Sequence, residues 1–199
     1  MKIVEVRQQY SAKLKEYQEQ KLLLARQKAE LEKKSNAVPG GKELYAEEAA
    51  ILELSYNAVS EKYDEYHKYM EQINMLHTGI ANAEVAKQQG EAMEEYATDM
   101  VKIMEVARRI ARGAKVPASD QKKLMEYSME LYMSAKNMAM MAKQKDKEEY
   151  DSLWDDEEEP GETVDPMEKA DNTEVNLAGP ELVDVADTIE SAVTASAEG

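Results

Sequence analysis

Between Tyr45 and Ile80, apolar and aromatic side chains recur alternately four and three positions apart. The series is Tyr45, Ala49, Leu52, Tyr56, Val59, Tyr63, Tyr66, Met70, Ile73, His77 and Ile80, and ten of the eleven are apolar or aromatic. A seam of this period held over five heptads predicts one long helix zipped against a neighbour. The neighbour is found upstream. Ile3, Tyr10, Tyr17, Leu24 and Leu31 form a column at seven-residue spacing, which predicts a first helix from about Ile3 to Lys34. Its companion column is weak (Arg7, Leu14, Lys21, Lys28), so its apolar stripe is narrow. The intervening SNAVPGG, residues 35–41, is a stop and a reversal: Pro39 disfavours helix at Val38, and Gly40 and Gly41 allow a tight turn. Two helices of similar length with a short connection predict an antiparallel coiled-coil-like hairpin over residues 1–80.

Downstream the pattern weakens. Gly79 and Gly90 flank a stretch of poor periodicity, and a turn or kink is expected between His77 and Glu91. A second, Met-rich hairpin is expected over residues 84–148. Its first helix carries an arc of Met93, Tyr96, Ala97, Met100, Ile103, Met104, Ala107, Ile110 and Ala111, with Gly113 as its stop. The loop of residues 113–119 contains Pro117, with Ser119 or Asp120 as the next N-cap. The last helix is expected from about Asp120 to Glu148. Leu124, Ser128, Leu131, Ala135, Met138 and Ala142 share its core face, and Met129, Met133 and Met140 lie on the opposite side. Met93, Met100 and Met138 read as core filler. Met129, Met133 and Met140 are either covered by another helix of the chain or form a partner-binding stripe.

Beyond Glu149 the composition changes. Residues 149–199 hold 17 acidic side chains and one basic one, and the first 148 residues are neutral in sum, so the whole net charge of −16 sits in the tail. High charge and few apolar residues predict a disordered acidic tail. Two islands interrupt it. Tyr150, Leu153 and Trp154 (the only tryptophan) are spaced for one helical turn. Trp154 reads first as the last anchor of the preceding helix, and second as a hook for another protein. The other island predicts a short helix over residues 180–193, with Pro180 at its first position and Leu182, Val185, Ile189 and Val193 on one face. That is the anchor spacing of a helix that folds into a partner's groove.

Composition adds exclusions. Gly (8) and Pro (5) are few, so the fold class is all-α. With no Phe and 11 Tyr, large aromatic contacts must come from rings that carry a hydroxyl, which suits a half-wet seam. The absence of Cys removes disulfides and thiolate chemistry. A neutral body with an acidic tail does not suit nucleic-acid backbones but permits a basic protein partner. The N-terminus has no apolar signal region and no stretch is long enough to span a membrane, so a cytoplasmic protein is expected, export by a signal-independent route aside.

Catalytic chemistry is sparse. No phosphate-binding, dinucleotide-binding, nucleophile-elbow or HExxH motif occurs. His67, with Asp64 and Glu71 on its face, and His77 read as a surface ion pair and a seam-edge ring, and no metal or cofactor is expected. The expected role is that of a non-enzymatic interaction protein: a scaffold, adaptor or assembly factor that self-associates and acts through its helical surfaces. The alternative is a chaperone for, or substrate of, a secretion or appendage machine, recognised through the tail. A metal-dependent helical-bundle enzyme is the remote one.

Overall fold

A computed structural model describes residues 1–141, 148–155 and 163–197. The elements are α1 (Ile3–Ala37), α2 (Gly41–Leu44), α3 (Ala46–Ala111), α4 (Ala118–Tyr127), α5 (Met129–Met141), α6 (Pro166–Asn172) and α7 (Val185–Ala197). Among the described residues there is no strand, only two isolated bridges, at Lys2/Glu174 and Lys115/Glu149. No described helix is long and apolar enough to cross a membrane. The chain forms two compact units: Met1–Glu84 with the chain from Val164 onward, and Val85–Thr163.

In the first unit α1 and residues 46–84 of α3 pair antiparallel. Contacts descend α3 as they ascend α1: Tyr10 meets Tyr69 and Tyr66, Tyr17 meets Tyr66, Lys21 lies over Tyr63 and Lys28 over Tyr56. The seven-residue column of α1 is buried throughout, with Val6 added to it. From α3, Val59, Tyr66, Tyr69, Met70 and Ile73 complete the core, and each such side chain contributes roughly 1.5–3 kcal/mol on burial. The reversal follows its residue types. Val38 is extended, Gly40 adopts φ 74°, and the Gly41 amide donates to the Val38 carbonyl at 2.9 Å. A Cβ on Gly41 would run into the Ser35 backbone, so the turn admits no side chain there. α1 itself continues to Ala37, three residues beyond the expected end.

Of the turn or kink expected between His77 and Glu91, a turn is not present: α3 is helical across the window. The division between the two units nevertheless falls in this window, at Glu84/Val85. Poor periodicity here marks a loss of burial, not a turn. From Val85 to Thr98 every residue except the half-buried Gln88 is exposed, so no seam is needed. Met93, expected as core, is 75 % exposed for the same reason. A Cβ at Gly79 or at Gly90 would meet nothing within 4 Å. Gly79→Ala and Gly90→Ala are each expected to stabilise the chain by about 0.5–1 kcal/mol, by removing backbone freedom from the unfolded state. Thermal unfolding followed by circular dichroism checks this, and destabilisation by either change would mean a bent helix.

The second unit packs Ile103, Val106, Ala107 and Ile110 of α3 against Val116, Leu124 and Ala135. At the end of α3, Arg108 and Arg109 donate to Glu105, and these bonds hold its carboxyl down at about 2. Gly113, at φ 84°, stops the helix as expected. The N-cap of α4 is Pro117, two residues before Ser119 and three before Asp120. The single last helix expected from Asp120 is two helices. Ser128 is extended (φ −157°, ψ 107°), and its hydroxyl accepts from the Leu131 amide at 3.2 Å. A serine that bonds local backbone in this way competes with continued helix and starts a new one. The new direction leaves Met138 56 % exposed, not in the core; Met100 is half-buried and accepts from the Tyr127 hydroxyl through its sulfur. Ala142 lies outside the described residues.

The acidic region is only partly as composition reads it. Residues 156–162 and 198–199 lie outside the described residues, whereas α6, α7 and the segment joining them pack on the first hairpin. α6 begins at Pro166, with the Asp165 carboxylate accepting from the Met167 and Glu168 amides. The last helix begins at Val185, five residues beyond Pro180, because the Pro180, Glu181 and Val183 carbonyls are engaged by tyrosine hydroxyls.

Candidate functional site

Two features stand out, one in each unit. The first is a row of tyrosines along the α1–α3 hairpin. Tyr10, Tyr17, Tyr66 and Tyr69 are all buried and touch edge-on or tilted, with ring centroids 4.7–5.6 Å apart. Their rings belong to the seam, and their hydroxyls reach the returning chain. Tyr69 donates to the Leu177 carbonyl (3.1 Å), Tyr10 to Pro180 (2.5 Å), Tyr66 to Glu181 (2.8 Å) and Tyr17 to Val183 (3.1 Å). Tyr66 also accepts from the Val183 amide at 2.9 Å, and Tyr17 shares a hydrogen bond with Thr188. The four hydroxyls thus read four main-chain carbonyls of one non-helical segment. Burial pushes the Tyr10, Tyr17 and Tyr69 hydroxyls above their ordinary titration range.

Further contacts fasten the segment at both ends. The Ile3 amide donates to the Thr173 carbonyl and the Val175 amide to the Met1 carbonyl, each at 2.9 Å. Lys2 reaches Asn172 at 2.8 Å, His77 Nε2 lies 2.9 Å from Asp171, and Lys169 pairs with the buried Glu84. At the other end Lys13 bonds Asp184 at 2.5 Å, and its ammonium pKa is raised, first by that bond and then by Glu16. Val185 and Ile189 pack on the hairpin core, Val193 is half-buried, and Leu182 is exposed. The four anchors expected to act together are therefore split, and two of them already have a partner within their own unit.

The second feature is the outer side of α5. Met129, Met133 and Met140 are 56 %, 52 % and 80 % exposed, and the neighbouring Met141 is exposed as well. Trp154 is not beside them. It packs with Leu153 against the second core, its indole N–H donates to Asp99 at 2.7 Å, and Lys123 lies 4.2 Å from the ring centroid. It is held there by Asp120, a fully buried carboxylate that accepts from Ser119 (3.0 Å), Ser152 (2.6 Å) and the Leu153 amide (3.1 Å).

In the sequence Asp120 reads only as a possible N-cap and Tyr10, Tyr17 and Tyr66 only as seam positions, while Asp99 and Tyr69 carry no signal of their own. The presence of 11 Tyr and no Phe is the one signal in the sequence that points to the row. His67 sits exposed, 3.8 Å from Glu71 and stacked on Tyr63. Among the described residues no group of three or more His, Cys, Asp or Glu side chains could hold a metal ion, and no buried side-chain polar atom lacks a hydrogen-bond partner. Compared with protein families, with curated proteins and with solved structures, the chain matches none.

Proposed function

We propose that this is a non-enzymatic interaction protein, a scaffold, adaptor or assembly factor, whose contact face is the methionine row of α5 and whose first partner is a second copy of itself. One observation carries the reading: three large, flexible apolar side chains stand in water on one side of a helix that packs on its core through Leu131, Tyr132 and Ala135. Exposed apolar side chains grouped on one face favour association, and methionine adapts to the surface it meets. A docking or export role for the tail would first require Val185 and Ile189 to leave the hairpin, whereas the methionine row needs no such step.

Methionine oxidation tests this. As the concentration of the full chain rises, Met129, Met133 and Met140 should become several-fold slower to oxidise, while the exposed Met75 of the first unit stays reactive. Replacing the three by Gln should lower the sedimenting mass without loss of helicity. A monomer at every concentration, with unchanging methionine reactivity, would defeat this reading.

A further inference from the structure

The contacts along the tyrosine row have the form of ligand recognition more than of core packing. Between Val164 and Ala195 only Ala170 is buried; Leu177 and Leu182 of the segment that joins α6 to α7 face solvent. What holds residues 177–183 is a set of hydroxyl-to-carbonyl bonds, so the hairpin reads main chain there and takes few side chains. Two side-chain requirements are nonetheless sharp. Gly179 admits no Cβ, since one would lie 2.5 Å from the Tyr10 hydroxyl and 2.6 Å from the Tyr69 ring. An acid is wanted five residues on, where Asp184 meets Lys13 of α1, and residues 1–34 of the chain carry a net +4. The segment fits that field, with five carboxylates and no basic residue between Glu174 and Val193. The floor of the row is tyrosine, and a tyrosine face can be wetted when its occupant leaves, where leucine or phenylalanine would not tolerate it.

We propose that the Tyr10/Tyr17/Tyr66/Tyr69 row is a peptide-binding groove for acidic segments that carry Gly-Pro, and that residues 177–188 of the chain occupy it as a built-in competitor. A tethered occupant acts at an effective concentration on the order of millimolar, which masks the groove from an outside peptide of equal intrinsic affinity. Weakening the tethered copy unmasks it. Individual hydroxyl–carbonyl bonds are each modest, so the segment detaches at lower cost than the hairpin unfolds. This inference concerns a different unit from the methionine row, and either can fail without the other.

The probe is a labelled synthetic peptide of residues 174–193, titrated into the full chain and followed by fluorescence anisotropy. The full chain carrying Gly179→Val should bind it at least about tenfold more tightly than the unaltered chain, because its own segment no longer seats. Adding Tyr66→Phe to that variant should weaken the peptide about tenfold, by removing a bond to Glu181 and one from Val183. A peptide carrying Val at the glycine position should not bind. Equal affinity in the Gly179→Val and unaltered chains would overturn the proposal. So would loss of the hairpin's helicity in Gly179→Val, since the segment would then be part of the core and not its ligand.

Discussion

Asp120→Ala should lower the stability of the second unit by about 3 kcal/mol and shift Trp154 emission to the red. The carboxylate is buried, and it collects the Ser152 hydroxyl and the Leu153 amide from a chain segment more than thirty residues away. Each hydrogen bond to a charged group is worth about 1.5–3 kcal/mol, and the amide left behind would have no acceptor. Its position in the first turn of α4 also suits a negative charge. Without it, Leu153 and Trp154 lose their hold on the core of Ile103, Val106 and Leu124. Asp120→Asn keeps one acceptor oxygen and should lose less. Because Trp154 is the only tryptophan, its emission reports this segment alone. Unchanged emission and an unchanged melting curve in Asp120→Ala would contradict the assignment of Asp120 as the anchor.

Tyr66→Phe should free the returning segment while leaving the hairpin standing. The ring stays and continues to fill the seam against Tyr10 and Tyr17. What is lost is a donor to the Glu181 carbonyl and an acceptor for the Val183 amide. Water can reach the exposed Glu181, so the expected cost is about 2 kcal/mol, and local opening of the segment should rise about thirtyfold. The same row imposes a pH dependence. Tyr10, Tyr17 and Tyr69 have hydroxyls raised above the ordinary value of about 10, mainly by burial. The folded state therefore holds these protons longer than the unfolded chain does. Their contribution is complete below the ordinary value and is lost as pH rises through the raised ones. Tyrosinate absorbance should show these three titrating after the exposed tyrosines. Early, uniform titration would mean that the hydroxyls are not engaged.

The hairpin was legible because its signal is local and periodic. The residues from Tyr45 to Ile80 repeat at the spacing that a partnered helix requires, and Val59, Tyr66, Met70, Ile73 and His77 are buried in the structure. The glycines at the reversal were legible because Gly40 needs a positive φ and Gly41 needs the space of a missing side chain. The outward side of Met129, Met133 and Met140 followed from helical geometry, which survives the change of direction at Ser128. That change itself did not register, because a serine on a core face fits the periodic pattern as well as it fits a cap.

The docking of residues 164–197 was hidden for a deeper reason. Its partners on the segment are carbonyl groups, which every residue has, so the segment carries no side-chain signature of being held. Its carboxylates read as solvation, yet Asp171 meets His77 and Asp184 meets Lys13 across 94 and 171 positions of sequence. Gly179 carries no signal in the sequence, and only the position of Tyr10 and Tyr69 reveals why no Cβ fits. On the hairpin side a trace was present: a chain with 11 Tyr and no Phe has placed a hydroxyl on every large seam ring, and four of those hydroxyls are the site.

Amide hydrogen exchange over residues 164–197 of the full chain tests the central claim most directly. If the tyrosine row holds the segment, the Val183 amide should exchange slowly because it donates to the Tyr66 hydroxyl, and the Val175 amide because it donates to the Met1 carbonyl. The amides of Leu177 and Leu182, which flank them on the exposed side, should exchange faster. Exchange at unfolded-chain rates through the whole stretch, with α1 and α3 still protected, would contradict the account.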